Sequence, residues 1–165
     1  MILSGIFRPG MRSYFIPFLA GIALAVSAFL PWVSIGDVTL DGVPETAALW
    51  VLGLGVVASV LALLSLITRR NSRHPLLLVG LIALAIMFLS WRIMPQMAGE
   101  RALIHAQSHA IVENAPVEPA AEALAGSGIY VGLAASATIA AFGLTIVVRR
   151  ASHAYSVQDP NDDVG

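Results

Sequence analysis

The chain contains no cysteine and no lysine, and only 12% of its 165 residues are charged. Without cysteine, disulfides, thiolate metal sites and cysteine nucleophiles are excluded. All nine basic side chains other than histidine are arginine, which reads as a bias of coding composition rather than of chemistry. A formal net charge of −1 offers nothing to a polyanion, so nucleic-acid binding has no support. No Asp, Glu, Lys or His lies within any of the four long apolar runs, which leaves no visible group for a proton relay or ion-coupled transport. No pair of histidines within the runs could hold haem between helices. The runs lack the paired Gly/Pro interruptions of unwound transporter helices. Phosphate-cradling glycine loops and nucleophile motifs are missing as well, so no catalytic residue and no cofactor is expected.

What the chain has in quantity is apolar sequence. Hydrophobic residues make up 58% of it and are segregated into long runs, which favours membrane spans over a large soluble core. The expected fold is all-α: a single membrane domain over residues 1–150, a four-transmembrane-helix bundle with spans at about 14–33, 47–68, 75–94 and 128–148. A polar cytoplasmic tail follows at 151–165. The last run has no charged residue, and Gly128, Gly132, Ser136 and Ala140 recur at every fourth position. On a helix they stack into one smooth stripe, and small residues at that spacing let a neighbouring backbone approach closely. Gly55 and Ser59 continue a similar face on the second span. The third span has fewer small residues and is expected to face more lipid. The start of the chain also resembles a secretory signal with a passable cleavage site at Val26-Ser27-Ala28. The apolar run is too long for a signal core, however, and an uncleaved anchor is expected.

The charges alternate between connections. Arg8, Arg12, Arg69, Arg70, Arg73, Arg149 and Arg150 occupy one set, and Asp37, Asp41, Glu45, Glu100, Glu113, Glu118 and Glu122 the other. Short arginine-rich loops stay in the cytoplasm. The expectation is therefore a multi-pass protein of the cell (inner) membrane with both termini cytoplasmic and two acidic loops outside.

The outer loops carry local signals. Two short β-prone runs flank Gly36-Asp37, a fair two-residue turn, so a short β-hairpin is expected in the first loop. In the second, Met97, Ile104 and Ile111 repeat every seventh residue. A helix over 97–112 fits, either continuing span three past Pro95 or lying on the membrane surface. Its Ile104 and Ile111 should pack on the bundle, on lipid or on a partner, leaving the His105/His109 face the more exposed. Residues 119–125 could add one or two helical turns before Gly126 stops them.

Three groups of side chains invite a chemical reading. His105, His109 and Glu113 stand one turn apart on a helix, a weak candidate for zinc or copper; the alternative is a solvated helix face. Trp32, Trp50, Trp91 and Tyr130 all lie near outer helix ends, either as an interfacial aromatic belt or as a ring lining a vestibule for a hydrophobic ligand. Arg92, the one charge at a span boundary, would reach Asp37, Asp41 or Glu45, or lipid phosphate, as an anchor.

Leu30-Pro31-Trp32-Val33 closes the first span, Gly42 follows in the loop, and an arginine-rich turn separates spans two and three. Gly126-Ser127-Gly128-Ile129-Tyr130 then opens the fourth. The combination resembles small bacterial four-helix integral membrane proteins of uncharacterised function, over roughly 14–150. In architecture the layout is also similar to claudin-like tetraspan proteins. Neither resemblance implies an activity. The leading functional expectation is a non-enzymatic accessory subunit, partnered by the lipid bilayer and by another membrane protein or a second copy as a homo-oligomer. Alternatives are a lipid or hydrophobic-ligand binder at the outer leaflet and a metal-dependent membrane enzyme using the histidine pair.

Overall fold

The computed structural model describes residues 12–68, 73–114, 116 and 121–153, with side chains described to Thr145 in the last helix. The arginine-bearing leader 1–11, the turn 69–72, Glu118, the side chains of Arg149 and Arg150, and the tail from 154 lie outside the described residues. A 3-10 turn, Arg12–Tyr14, leads into α1 (Phe15–Ser27). Strands β1 (Pro31–Ile35) and β2 (Val38–Asp41) follow, then α2 (Thr46–Thr68), α3 (Arg73–Glu113), β3 (Ala123–Ala125) and α4 (Ser127–His153).

Three of these helices are long and apolar enough to cross a membrane: α2, α3 and the Ser127–Thr145 part of α4. The expected first span at 14–33 is corrected, because α1 has 13 residues and the rest of that apolar run is turn and strand. Its last turn tightens into bonds of three-residue spacing, from Ala28 N–H to Ala25 O (3.3 Å) and Phe29 N–H to Val26 O (3.0 Å). Pro31 then forces Leu30 out of helical geometry. The run stays apolar through Val33 because β1 enters the core, and a short apolar run does not by itself distinguish strand from helix.

The third span continues unbroken past Pro95 as one 41-residue helix, about 60 Å long at 1.5 Å per residue. The expected extramembrane helix is therefore the far half of α3 and not a separate element. The helical turns expected over 119–125 are also corrected. Ala123–Ala125 is a strand, paired antiparallel to β1 in the register Val33↔Ala125 and Ile35↔Ala123. Gly126 N–H extends this pairing with a 2.7 Å bond to Trp32 O. The pairing supplies backbone partners that an isolated helical turn could not, and it overrides the helix preference of alanine.

The sheet order is β2-β1-β3. The hairpin turns at Gly36, whose φ of +56° suits glycine in a two-residue turn. A register shift between Pro31 and Val33 breaks the strand alternation, so Trp32 and Val33 are both buried. Trp32 sits in the core with Leu24, Met87 and Ile129, its indole donating to Ser27 O at 2.8 Å.

Small residues set the helix spacing. A Cβ built on Gly55 would lie 2.6 Å from Ala25 N on α1, and one on Gly21 would meet Ser59. A Cβ on Gly80 would lie 2.6 Å from Ala140 N, and one on Gly143 the same distance from Leu77 Cα. Helix α3 is thus in backbone contact with α4 along one face, while its Leu78, Leu81, Ile82, Phe88 and Leu89 are exposed. At the opposite end from the sheet, the Arg73 guanidinium carbon lies 5.5 Å over the Phe142 ring and 6.0 Å over that of Tyr14, gathering the 3-10 turn before α1 with α3 and α4 through cation–π contact.

Candidate ligand cleft

The far half of α3 leans past the hairpin and leaves a cleft of about 660 Å³ between them. One wall is Val33, Ile35, Thr39, Leu40 and Asp41 of the hairpin with Val43, Pro44 and Glu45 of its exit; Trp32 also contributes. The other wall is Met94, Met97, Ala98, Arg101, Ala102 and His105. These helical positions recur three and four apart, so they form one face of α3, and Ala98 and Ala102 provide the room on it. The cleft opens where the apolar part of α3 ends, beside Met94. Its size and mostly apolar lining are those of a small-molecule site.

The polar side chains divide by wall. Asp41 and Glu45 belong to the hairpin side and Arg101 and His105 to α3. No ion pair joins them: among the described residues the ion pair found is His109 Nδ1 to Glu113, at 3.3 Å, on the solvent face of α3. Opposite charges therefore face a shared apolar cleft without neutralising each other. A second, more open hollow lies between Gly99 and Leu103 of α3 and the segment 121–123 that leads into β3.

The residues singled out in the sequence occupy separate parts of the structure. The stripe Gly128, Gly132, Ser136 and Ala140 is buried inside the chain, against Trp32 and Ser27 at Gly128, Met87 and Ser27 at Gly132, and Gly80 at Ala140. Gly55 and Ser59 face Gly21 and Ala25 of α1. Of the four aromatic residues only Trp32 borders the cleft. Trp50 and Tyr130 are 64% and 55% exposed, and Trp91 leans on Phe88 with centroids 5.8 Å apart. Arg92 is exposed and pairs with none of Asp37, Asp41 and Glu45 among the described residues.

His105 borders the cleft while His109 pairs with Glu113, and no group of three metal-type side chains comes together among the described residues. The apolar heptad of the second loop does not pack on the bundle either. Ile111 is 81% exposed, as open as the 78% His109 side chain, so the histidine face is not the more exposed one. On the far half of α3 the buried residue among those described is Ala110. Met94, Ala98, Arg101 and Ala102 were missed as a set. Their helical spacing is legible only once α3 is known to run through Pro95.

Family models, curated proteins and solved structures were all compared with this chain, and none matches.

Proposed function

We propose that the protein is a non-enzymatic, multi-pass protein of the cell inner membrane that binds an amphiphile in the cleft between the β1–β2 hairpin and α3. In this reading α1 and β1 together make one crossing beside those of α2, α3 and α4, so both termini are cytoplasmic and the cleft lies at the outer leaflet. The arginine distribution supports the orientation. The observation that carries the binding role is the cleft: an open, largely apolar space walled by two elements, beginning where the apolar span of α3 ends. Trp50 and Trp91, exposed near the ends of α2 and the apolar half of α3, fit the headgroup level on the same side. An occupant with an apolar chain and a polar head would satisfy both the lining and the charged rim.

The test is to fill the space. Ala102→Trp should abolish retention of co-purifying lipid while gel filtration and circular dichroism stay unchanged. Undiminished lipid in a folded Ala102→Trp protein would refute the assignment.

A second reading is that of an accessory subunit that packs laterally on a membrane partner or on itself. Its support has moved. The small-residue stripe is occupied within the chain, whereas Ile111 and Val112 are 81% and 83% exposed on the far half of α3. Under this reading Ile111→Ser with Val112→Ser releases a crosslinked neighbour without affecting lipid retention.

A further inference from the structure

We infer that the occupant of the cleft is a zwitterionic phospholipid with a primary ammonium headgroup, of the phosphatidylethanolamine type; this rests on the amphiphile-binding reading above. Two carboxylates, Asp41 and Glu45, border the cleft from the hairpin side, and Arg101 borders it from α3. Neither carboxylate is in an ion pair with Arg101 among the described residues. A purely anionic headgroup would satisfy the guanidinium and be repelled by the carboxylates, and a purely cationic one would meet the reverse. A headgroup with phosphate and ammonium a few bonds apart answers both walls, the phosphate on the Arg101 fork and the ammonium on Asp41 and Glu45.

The nature of the cation follows from what surrounds it. A quaternary ammonium has no N–H to donate and is held best by aromatic faces. Among the described residues the only aromatic one bordering the cleft is Trp32, which is fully buried with its N–H committed to Ser27 O. Carboxylates instead accept hydrogen bonds, which a primary ammonium supplies threefold. The apolar part of the cleft, with Met94 at its start, receives the glycerol and upper acyl region.

The experiment uses the full chain in detergent, presented with equal amounts of phosphatidylethanolamine, phosphatidylcholine and phosphatidylglycerol and read by native mass spectrometry. The ethanolamine lipid should be retained roughly tenfold over the other two, about the factor carried by one charge-assisted hydrogen bond. Asp41→Asn with Glu45→Gln should bring the ethanolamine and glycerol lipids to parity. Arg101→Gln should lower retention of all three. Soluble phosphoethanolamine should fail to compete, because the acyl contacts are absent; competition at equal concentration would overturn the lipid assignment. Equal retention of the three lipids by the wild type, or a preference that survives Asp41→Asn with Glu45→Gln, would overturn the inference. The underlying reading stays separable from this outcome. If the wild type shows no headgroup preference but Ala102→Trp removes all three lipids, the cleft binds amphiphiles without this selectivity. If Ala102→Trp leaves all three bound, the cleft reading itself fails. Should Ala102→Trp not fold, Ala98→Leu, a smaller intrusion into the same wall, gives the same reading.

Discussion

Two glycines facing neighbours of different stiffness show how single residues hold this chain together. A Cβ on Gly80 would press on the Ala140 backbone at 2.6 Å, whereas one on Gly132 would press on the thioether end of Met87. Backbone of a packed helix does not give way, and a methionine end does. Gly80→Ala should therefore cost about 1–3 kcal/mol of stability, measurably more than Gly132→Ala, in thermal melts of the detergent-solubilised protein. Gly53 has nothing within 4 Å of its Cβ position, so Gly53→Ala should leave stability unchanged or raise it by up to about 1 kcal/mol through helix propensity. A Gly53 variant as damaging as the Gly80 one would mean that spacing between helices is not what the small residues provide. The stripe on α4 was legible because its members repeat every fourth residue. Gly21 and Gly80 were not, because each stands alone and acquires meaning only from the backbone opposite. Trp32 was read as interfacial for a related reason: a tryptophan at the end of an apolar run looks the same whether it borders lipid or fills a core.

Among the elements, the hairpin was foreseeable and the third strand was not. Gly36-Asp37 between β-prone runs specifies a turn by local chemistry, and the positive φ at Gly36 is the conformation that chemistry provides. Gly36→Val should be strained by about 1–2 kcal/mol, the cost of a left-handed conformation for a residue with a Cβ. Because β2 and its exit form one wall of the cleft, the same substitution should weaken lipid retention; full retention together with an unchanged melting temperature would count against that coupling. Strand β3 has no such signature. Its three residues, Ala123–Ala125, have no strand preference of their own and are extended because β1 offers them partners. The continuity of α3 was one of two readings the sequence left open, since an interior proline removes one backbone bond and usually marks an end. Whether a helix tolerates it is decided by the packing on either side, which a local reading does not contain.

At the scale of the whole molecule, the order of the apolar runs and the boundaries of α2 could be read directly, since length and composition are sufficient for a span. The first run misled because α1 and β1 share one continuous hydrophobic stretch. At 13 residues, α1 covers about 20 Å, short of a hydrocarbon layer of about 30 Å, and β1 carries the chain onward. In the reading proposed above β1 completes that crossing, and the strand on each side of it supplies the backbone partners such a depth demands. In the orientation proposed here, a reporter fused after Arg150 should be active in the cytoplasm and silent outside; activity only outside would reverse the assignment. The placing of β1 between β2 and β3 also orders events in time. Its first neighbour emerges from the ribosome almost at once, but its second arrives only after α2 and α3 have been made. Long-range pairings of this kind form late, because the loop they close must first be brought together. During synthesis the hairpin is therefore an open-edged, two-stranded unit, marginal by itself, and the sheet is completed only once α2, α3 and β3 have been translated. The end of the molecule that carries the cleft therefore waits on residues translated after α3, although its hairpin is made before α2.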